Sequence, residues 1–190
     1  MVSKILVVGL VAIVVIVALS FVLFSGPQLT KYTDSTNTFS LSYPKGWEKT
    51  NFTPLSGLEA QQKNLEGPSV TLSKGNNTGV FVVVLKLPIN ESIPQASVPA
   101  VLDQYVSSIE TGLKAVVPEY KKISLANFTL SSQPAKELVY EGKKNGKQFK
   151  MKSVMSIKDR FSISVLFASE NYDANIKEAD AIISSFQLLK

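Results

Sequence analysis

The sequence predicts an α+β fold, an antiparallel β-sheet flanked by helices and preceded by one N-terminal transmembrane helix. Three observations carry the prediction for the folded part. Phe39-Ser40-Leu41-Ser42-Tyr43 alternates apolar and polar residues, the two-residue period of a half-buried strand. Pro94 to Val117 repeats its apolar residues at helical spacing instead. Lys143-Lys144-Asn145-Gly146-Lys147 joins two strand-like runs, and Asn-Gly is the strongest short hairpin signal.

The order of elements begins with Ile5 to Phe24, a run of 20 residues without a charge and dominated by Val, Ile and Leu. As a helix it would span roughly 30 Å, the thickness of a bilayer's hydrocarbon core. Lys4 precedes it, and no charge follows before Lys31. That bias directs the N-terminus to the cytoplasm and the rest of the chain outward. Residues 1–24 are therefore expected to anchor the protein to the cell membrane as a single-pass helix. Ala18-Leu19-Ser20 resembles a small-x-small processing site, so a cleaved leader, and with it secretion, is the competing reading. Residues 25–36, with Gly26-Pro27, read as a polar tether, and residues 37–190 as the folded domain.

Pro44-Lys45-Gly46 stops the first strand and Trp47 follows. Val70-Thr71-Leu72 and Val80 to Leu87 read as further strands across the turn Lys74-Gly75-Asn76-Asn77. The second is rich in β-branched residues and belongs in the middle of a sheet. Asn51 to Gly67 gives no clear pattern and is left as loop. Ser97 can cap a helix with Pro99 in its first turn. Leu102, Tyr105, Ile109, Leu113 and Val116 then form its apolar stripe, and Pro118 ends it. Ala135 to Glu141, Gln148 to Ile157 and Phe161 to Ala168 follow as strands, turning at Asn145-Gly146 and Asp159-Arg160. A closing helix from about Asp173 puts Ile176, Ala179, Ile183 and Phe186 on one face.

Composition narrows the function. The chain has 190 residues with neither cysteine nor histidine. Disulfides, thiolate metal sites, zinc chemistry and Ser-His or Cys-His nucleophile pairs are thereby excluded. Carboxylate pairs, Ser-Lys dyads and oxygen-ligated cations remain. No cofactor is indicated, and no residues are singled out as catalytic or metal-binding. The net charge of +5 permits attraction to anionic surfaces without requiring nucleic acid.

The run Phe39-Ser40-Leu41-Ser42-Tyr43-Pro44-Lys45-Gly46-Trp47 resembles the opening strand and Tyr-Pro-x-Gly-Trp turn of the PsbP-like family, which shares its fold with the Mog family of Ran-binding proteins. The ending is similar too, with a serine-bearing turn before Pro134-Ala135, a hairpin, a strand and a helix running into Ser185-Phe186. The resemblance implies an α-β-α sandwich in an extracytoplasmic accessory protein of a membrane complex. The photosynthetic members' metal-related histidines have no counterpart here.

Three groups of residues are candidates for function. Tyr43 and Trp47 could form a recognition corner on the rigid turn, although a lone Trp more often sits in a core. Lys143, Lys144, Lys147, Lys150 and Lys152 form the densest basic cluster, suited to an anionic envelope component or a partner's acidic face. A solvated strand face protected from aggregation by lysine is the plainer reading. Asn51, Asn76, Asn90 and Asn127 each begin an N-x-Ser/Thr triplet, the acceptor pattern for N-glycosylation. The expected function is a non-catalytic binding or accessory module. The alternatives are a carboxylate- or Ser-Lys-based extracellular hydrolase or transferase, or a structural protein of the cell envelope.

Overall fold

The computed structural model describes residues 29–50, 67–144 and 146–189. The predicted anchor at 1–24, the loop at 51–66 and Asn145 lie outside the described residues. Among the described residues, no helix is long and apolar enough to cross a membrane.

Among the described residues, ten strands and two α-helices follow in the order β1 (Leu29–Thr33), β2 (Phe39–Pro44), β3 (Glu48–Lys49), β4 (Ser69–Ser73), β5 (Thr78–Lys86), α1 (Val98–Val116), β6 (Lys121–Leu130), β7 (Gln133–Lys144), β8 (Lys147–Lys158), β9 (Phe161–Ser169), α2 (Tyr172–Ser184) and β10 (Gln187–Leu188). Seven strands make one antiparallel sheet in the order β3-β4-β5-β9-β8-β7-β6, and β1-β2-β10 make a second. Helix α1 packs on β7 and β8, while α2 packs on β9, β5 and β8 and also against β2.

Strand alternation sends side chains to two separate cores. Val80, Val82, Val84, Val154, Ile163, Val165 and Phe167 meet Ala179, Ile182 and Ile183 of α2 together with Phe39 and Leu41 of β2. The neighbouring positions Leu138, Tyr140, Met151, Met155 and Ala168 meet Val106 and Leu113 of α1. Both faces of the sheet are thus covered along β8 and β9, where burial of each large apolar side chain contributes about 1.5–3 kcal/mol. Strand β5 is paired on both edges, as its β-branched run predicts. The predicted β7–β8 hairpin forms, with Lys144 opposite Lys147 and Gly146 at φ +77°.

Four expectations are corrected. Leu29–Thr33, assigned to the tether, is a strand paired along its whole length with β2. Its link to β2 is built on Asp34, whose carboxylate accepts the backbone N–H groups of Thr36, Thr38 and Phe39 and the Thr36 hydroxyl. Those bonds outweigh burial, which alone would raise the pKa, and hold the carboxyl below the usual aspartate range. Ser97 makes no side-chain cap bond, because a turn of 3-10 helix (Gln95–Ser97) leads into α1. Val116 is 39% exposed and Val117 takes the buried place. Strand β6 has no counterpart in the sequence reading, since nine of its ten residues escape full burial and leave no apolar alternation.

Phe186 lies just past the end of α2, where it is buried and stacks on Phe39 with ring centroids 5.6 Å apart. Gly142 is required in β7: a Cβ there would collide with Val117, and the next residue's N–H donates to the Pro118 carbonyl.

Candidate functional site

The predicted lysines lie around the β7–β8 hairpin, and the pleat of β8 turns Lys150 and Lys152 toward α2. The structure brings carboxylates down onto them. Lys152 is 8% exposed, and its Nζ lies 2.6 Å from Glu137 Oε2 and 2.8 Å from Asp180 Oδ1. Burial favours the neutral amine, but the bonds to Asp180 and Glu137 outweigh it and raise the pKa. Lys150 sits 4.5 Å above the ring of Tyr172 and 3.7 Å from Asp173. Burial pushes the Tyr172 phenol up to about 12.

Lys147 pairs with Glu170 at 3.3 Å, and Asn77 donates to the same carboxylate at 2.8 Å. Lys143 pairs with Glu119 at 2.7 Å. Lys144 belongs to β7 by its backbone, and its side chain lies outside the described residues. The cluster is therefore a ladder of ion pairs, with Glu119, Glu137, Glu170, Asp173 and Asp180 set against the four described lysines. An anionic ligand would have to displace a carboxylate to reach Lys152, whereas the more exposed Lys143 and Lys147 keep part of the ammonium open to solvent.

The Tyr43–Trp47 corner is built into the core. Gly46 adopts φ +93°, which lets Trp47 N–H return to the Pro44 carbonyl at 3.2 Å. The indole is 3% exposed, and its Nε1 donates to Glu178 Oε2 at 2.6 Å. Lys74 reaches both oxygens of the same carboxylate at 2.8 and 3.0 Å. The Lys74 and Trp47 bonds hold Glu178 below the usual glutamate range. A partner at this corner would meet the half-buried Tyr43, not the indole.

The triplet asparagines scatter. Asn76 and Asn90 are exposed beside strand ends, Asn127 is exposed on β6, and Asn51 lies outside the described residues. In the Asn76 triplet, the Thr78 hydroxyl is buried and bonded to Ser169 at 2.8 Å.

Sequence reasoning missed a cleft of about 510 Å³ between the β6–β7 turn and β10, lined by Thr129, Ser131, Ser132, Ser184, Phe186 and Gln187. Its turn residues Ser131 and Ser132 both take positive φ, at 50° and 62°, and Ser131 Oγ accepts the Leu188 N–H at 3.0 Å. The sequence marks the serine-bearing turn before Pro134 but not the cleft beside it, because a Ser-Ser turn is unusual in this left-handed conformation. Among the described residues, no group of three or more acidic side chains is placed to hold a metal ion.

Comparison with known proteins places this architecture. The fold is similar to cyanobacterial PsbP (CyanoP) from Synechocystis sp. PCC 6803, with a TM-score of 0.56 and 13% identity over 87% of this chain and 95% of that one. It is also similar to LpqN, involved in cell envelope biogenesis of Mycobacterium tuberculosis, with a TM-score of 0.54 and 16% identity over 86% and 91%. A protein of Bacteroides thetaiotaomicron VPI-5482 matches with a TM-score of 0.57 and 12% identity over 84% of this chain. The chain spans about half of that protein, 48% of its length. At these identities the likeness shows the fold alone. No curated protein matches the chain in sequence. The family model described as PsbP-like protein matches residues 7–188, nearly the whole chain, and the chain belongs to that family.

Proposed function

We propose that this protein is a non-catalytic binding or accessory module of PsbP type, displayed outside the cytoplasm and held to a membrane by residues 1–24. One observation carries the non-catalytic part. Lys152, the lysine most withdrawn from water among the described residues, is clamped by Glu137 and Asp180 and so held as an ammonium. A Ser-Lys dyad needs the opposite, a lysine whose pKa is lowered until it can accept a proton. Three carboxylates near these lysines are likewise committed, Glu137 and Asp180 to Lys152 and Glu178 to Lys74 and Trp47.

The display and anchoring rest on the uncharged run from Ile5 to Phe24 and on Lys4 before it. Alkaline extraction of membranes and protease treatment of intact cells test both. The expected result is a chain that stays in the membrane pellet and is digested from outside. Release by alkali would remove the anchor, and full protection from protease would remove the display.

A further inference from the structure

Leu29 opens β1 and pairs with Pro44 at the end of β2. Only Ser25-Gly26-Pro27-Gln28 separate it from Phe24, where the uncharged run assigned to the anchor ends. The step from Phe24 to Leu29 covers at most about 18 Å even when fully extended. With residues 1–24 in a bilayer, the corner where β1 meets the end of β2 must therefore lie beside the lipid. What that corner presents decides whether the domain rests on the membrane or stands off it.

Tyr32 turns into the core, so alternation along β1 turns Leu29, Lys31 and Thr33 outward, and all three are exposed. Lys45 is exposed in the turn directly after Pro44. Strand rise and pairing distance put the backbones of Lys31 and Lys45 within about 10 Å of Leu29. Lys49 of β3 reaches the same strand, its Nζ 5.5 Å from the centre of the Tyr32 ring. Glu48 is the acidic residue exposed with them, so the corner keeps a positive excess. Among the described residues, none of Lys31, Lys45 and Lys49 has a carboxylate within ion-pair distance, whereas each described lysine of the hairpin does. The basic charge left open to a ligand thus sits where the chain leaves for the membrane.

We propose that this corner docks on the bilayer that holds residues 1–24, with the outer face of β1 toward the lipid and Lys31, Lys45 and Lys49 against the phosphates of anionic headgroups. The docking rests on the anchoring reading of those residues. Attraction of lysine to such a surface falls off within a Debye length, about 8 Å at physiological salt, a range the short link lets these side chains reach. Leu29, 48% exposed, enters the headgroup layer beside them. Helix α1 packs on the opposite face of the seven-stranded sheet from β1 and β2, so docking turns it away from the bilayer.

The absence of cysteine makes the test clean, because a single introduced thiol is unique. The full-length chain is placed in lipid nanodiscs of phosphatidylcholine with or without phosphatidylglycerol, carrying an energy acceptor on a trace of the headgroups. A donor dye sits on Thr33→Cys, on the outer face of β1, or on Ser107→Cys, exposed on α1. In discs with phosphatidylglycerol, transfer from Thr33→Cys should clearly exceed transfer from Ser107→Cys. Each lysine at an anionic surface is worth about fivefold in the ratio of docked to undocked domain, so adding Lys31→Gln with Lys45→Gln should lower that ratio about 30-fold and close the gap. Omitting phosphatidylglycerol should close it as well. Equal transfer from the two positions in a chain that co-elutes with the discs would overturn the docking and leave the anchor standing. So would a gap that persists without phosphatidylglycerol, or in the double lysine variant still folded by circular dichroism. A chain that does not co-elute with the discs would remove the anchor and the docking together.

Discussion

Replacing Lys152 with methionine tests the ion-pair ladder at its most buried rung. The variant keeps the apolar stem and removes the charge that Glu137 and Asp180 share. Removing one partner of a buried pair typically costs about 3–5 kcal/mol, because the other charge is left without compensation. Asp180, with its side chain 46% exposed, can return to water, whereas Glu137 is 20% exposed and largely cannot. The lower end applies, about 3 kcal/mol, and for a chain of this size that lowers Tm by about 6–12 °C. Lys152→Met with Glu137→Leu should recover most of the loss, since replacing a whole buried pair by apolar residues is often close to neutral.

The pH dependence has a definite sign. The folded pKa of Lys152 is raised above 10.5, so its contribution is complete below that value. It is lost as pH rises through the higher folded value, and only there should the wild-type and Lys152→Met melting curves converge. Thermal denaturation followed by circular dichroism at neutral and alkaline pH reads all of this. A fall in Tm below about 2 °C, less than 1 kcal/mol here, would refute the clamp, as would a double variant no more stable than the single one.

Asp34→Ala should cost about 2–4 kcal/mol, since the carboxylate accepts several bonds that ion–dipole attraction strengthens. Because the folded pKa of Asp34 is lowered, that stabilisation is present above the ordinary value of 3.8 and is lost as pH falls through the folded one. Urea denaturation from neutral to acid pH should show the two chains converging at the acid end. Trp47 is the only tryptophan, so its emission should be blue-shifted and resist acrylamide; a quenchable, red-shifted spectrum would return the indole to the surface. Ser132→Gly should raise stability by about 0.5–1 kcal/mol by relieving the left-handed backbone at φ 62°, measurable as a higher Tm.

Elements with a local period were legible in the sequence. The alternation of Phe39 to Tyr43, the Asn-Gly turn and the stripe of Leu102, Ile109 and Leu113 each follow from residues close together in the chain. The site was harder because its partners are distant in sequence. Lys152 and Asp180 stand 28 residues apart, and Trp47 and Glu178 stand 131 apart. A run of lysines on one strand looks like a basic patch until a helix bearing Asp173 and Asp180 is laid over it. Strand β6 failed for the opposite reason. An edge that buries little has no need of apolar alternation, and Lys121 to Leu130 shows none that a reader could use.

The central claim, a binding module working beside a membrane partner, is tested most directly by purifying the full-length tagged chain from mild-detergent extracts and measuring what comes with it. A stoichiometric membrane protein other than the chain itself is the predicted result. Recovery of the chain alone, or only with its own second copy, under conditions that keep other membrane complexes intact would contradict it.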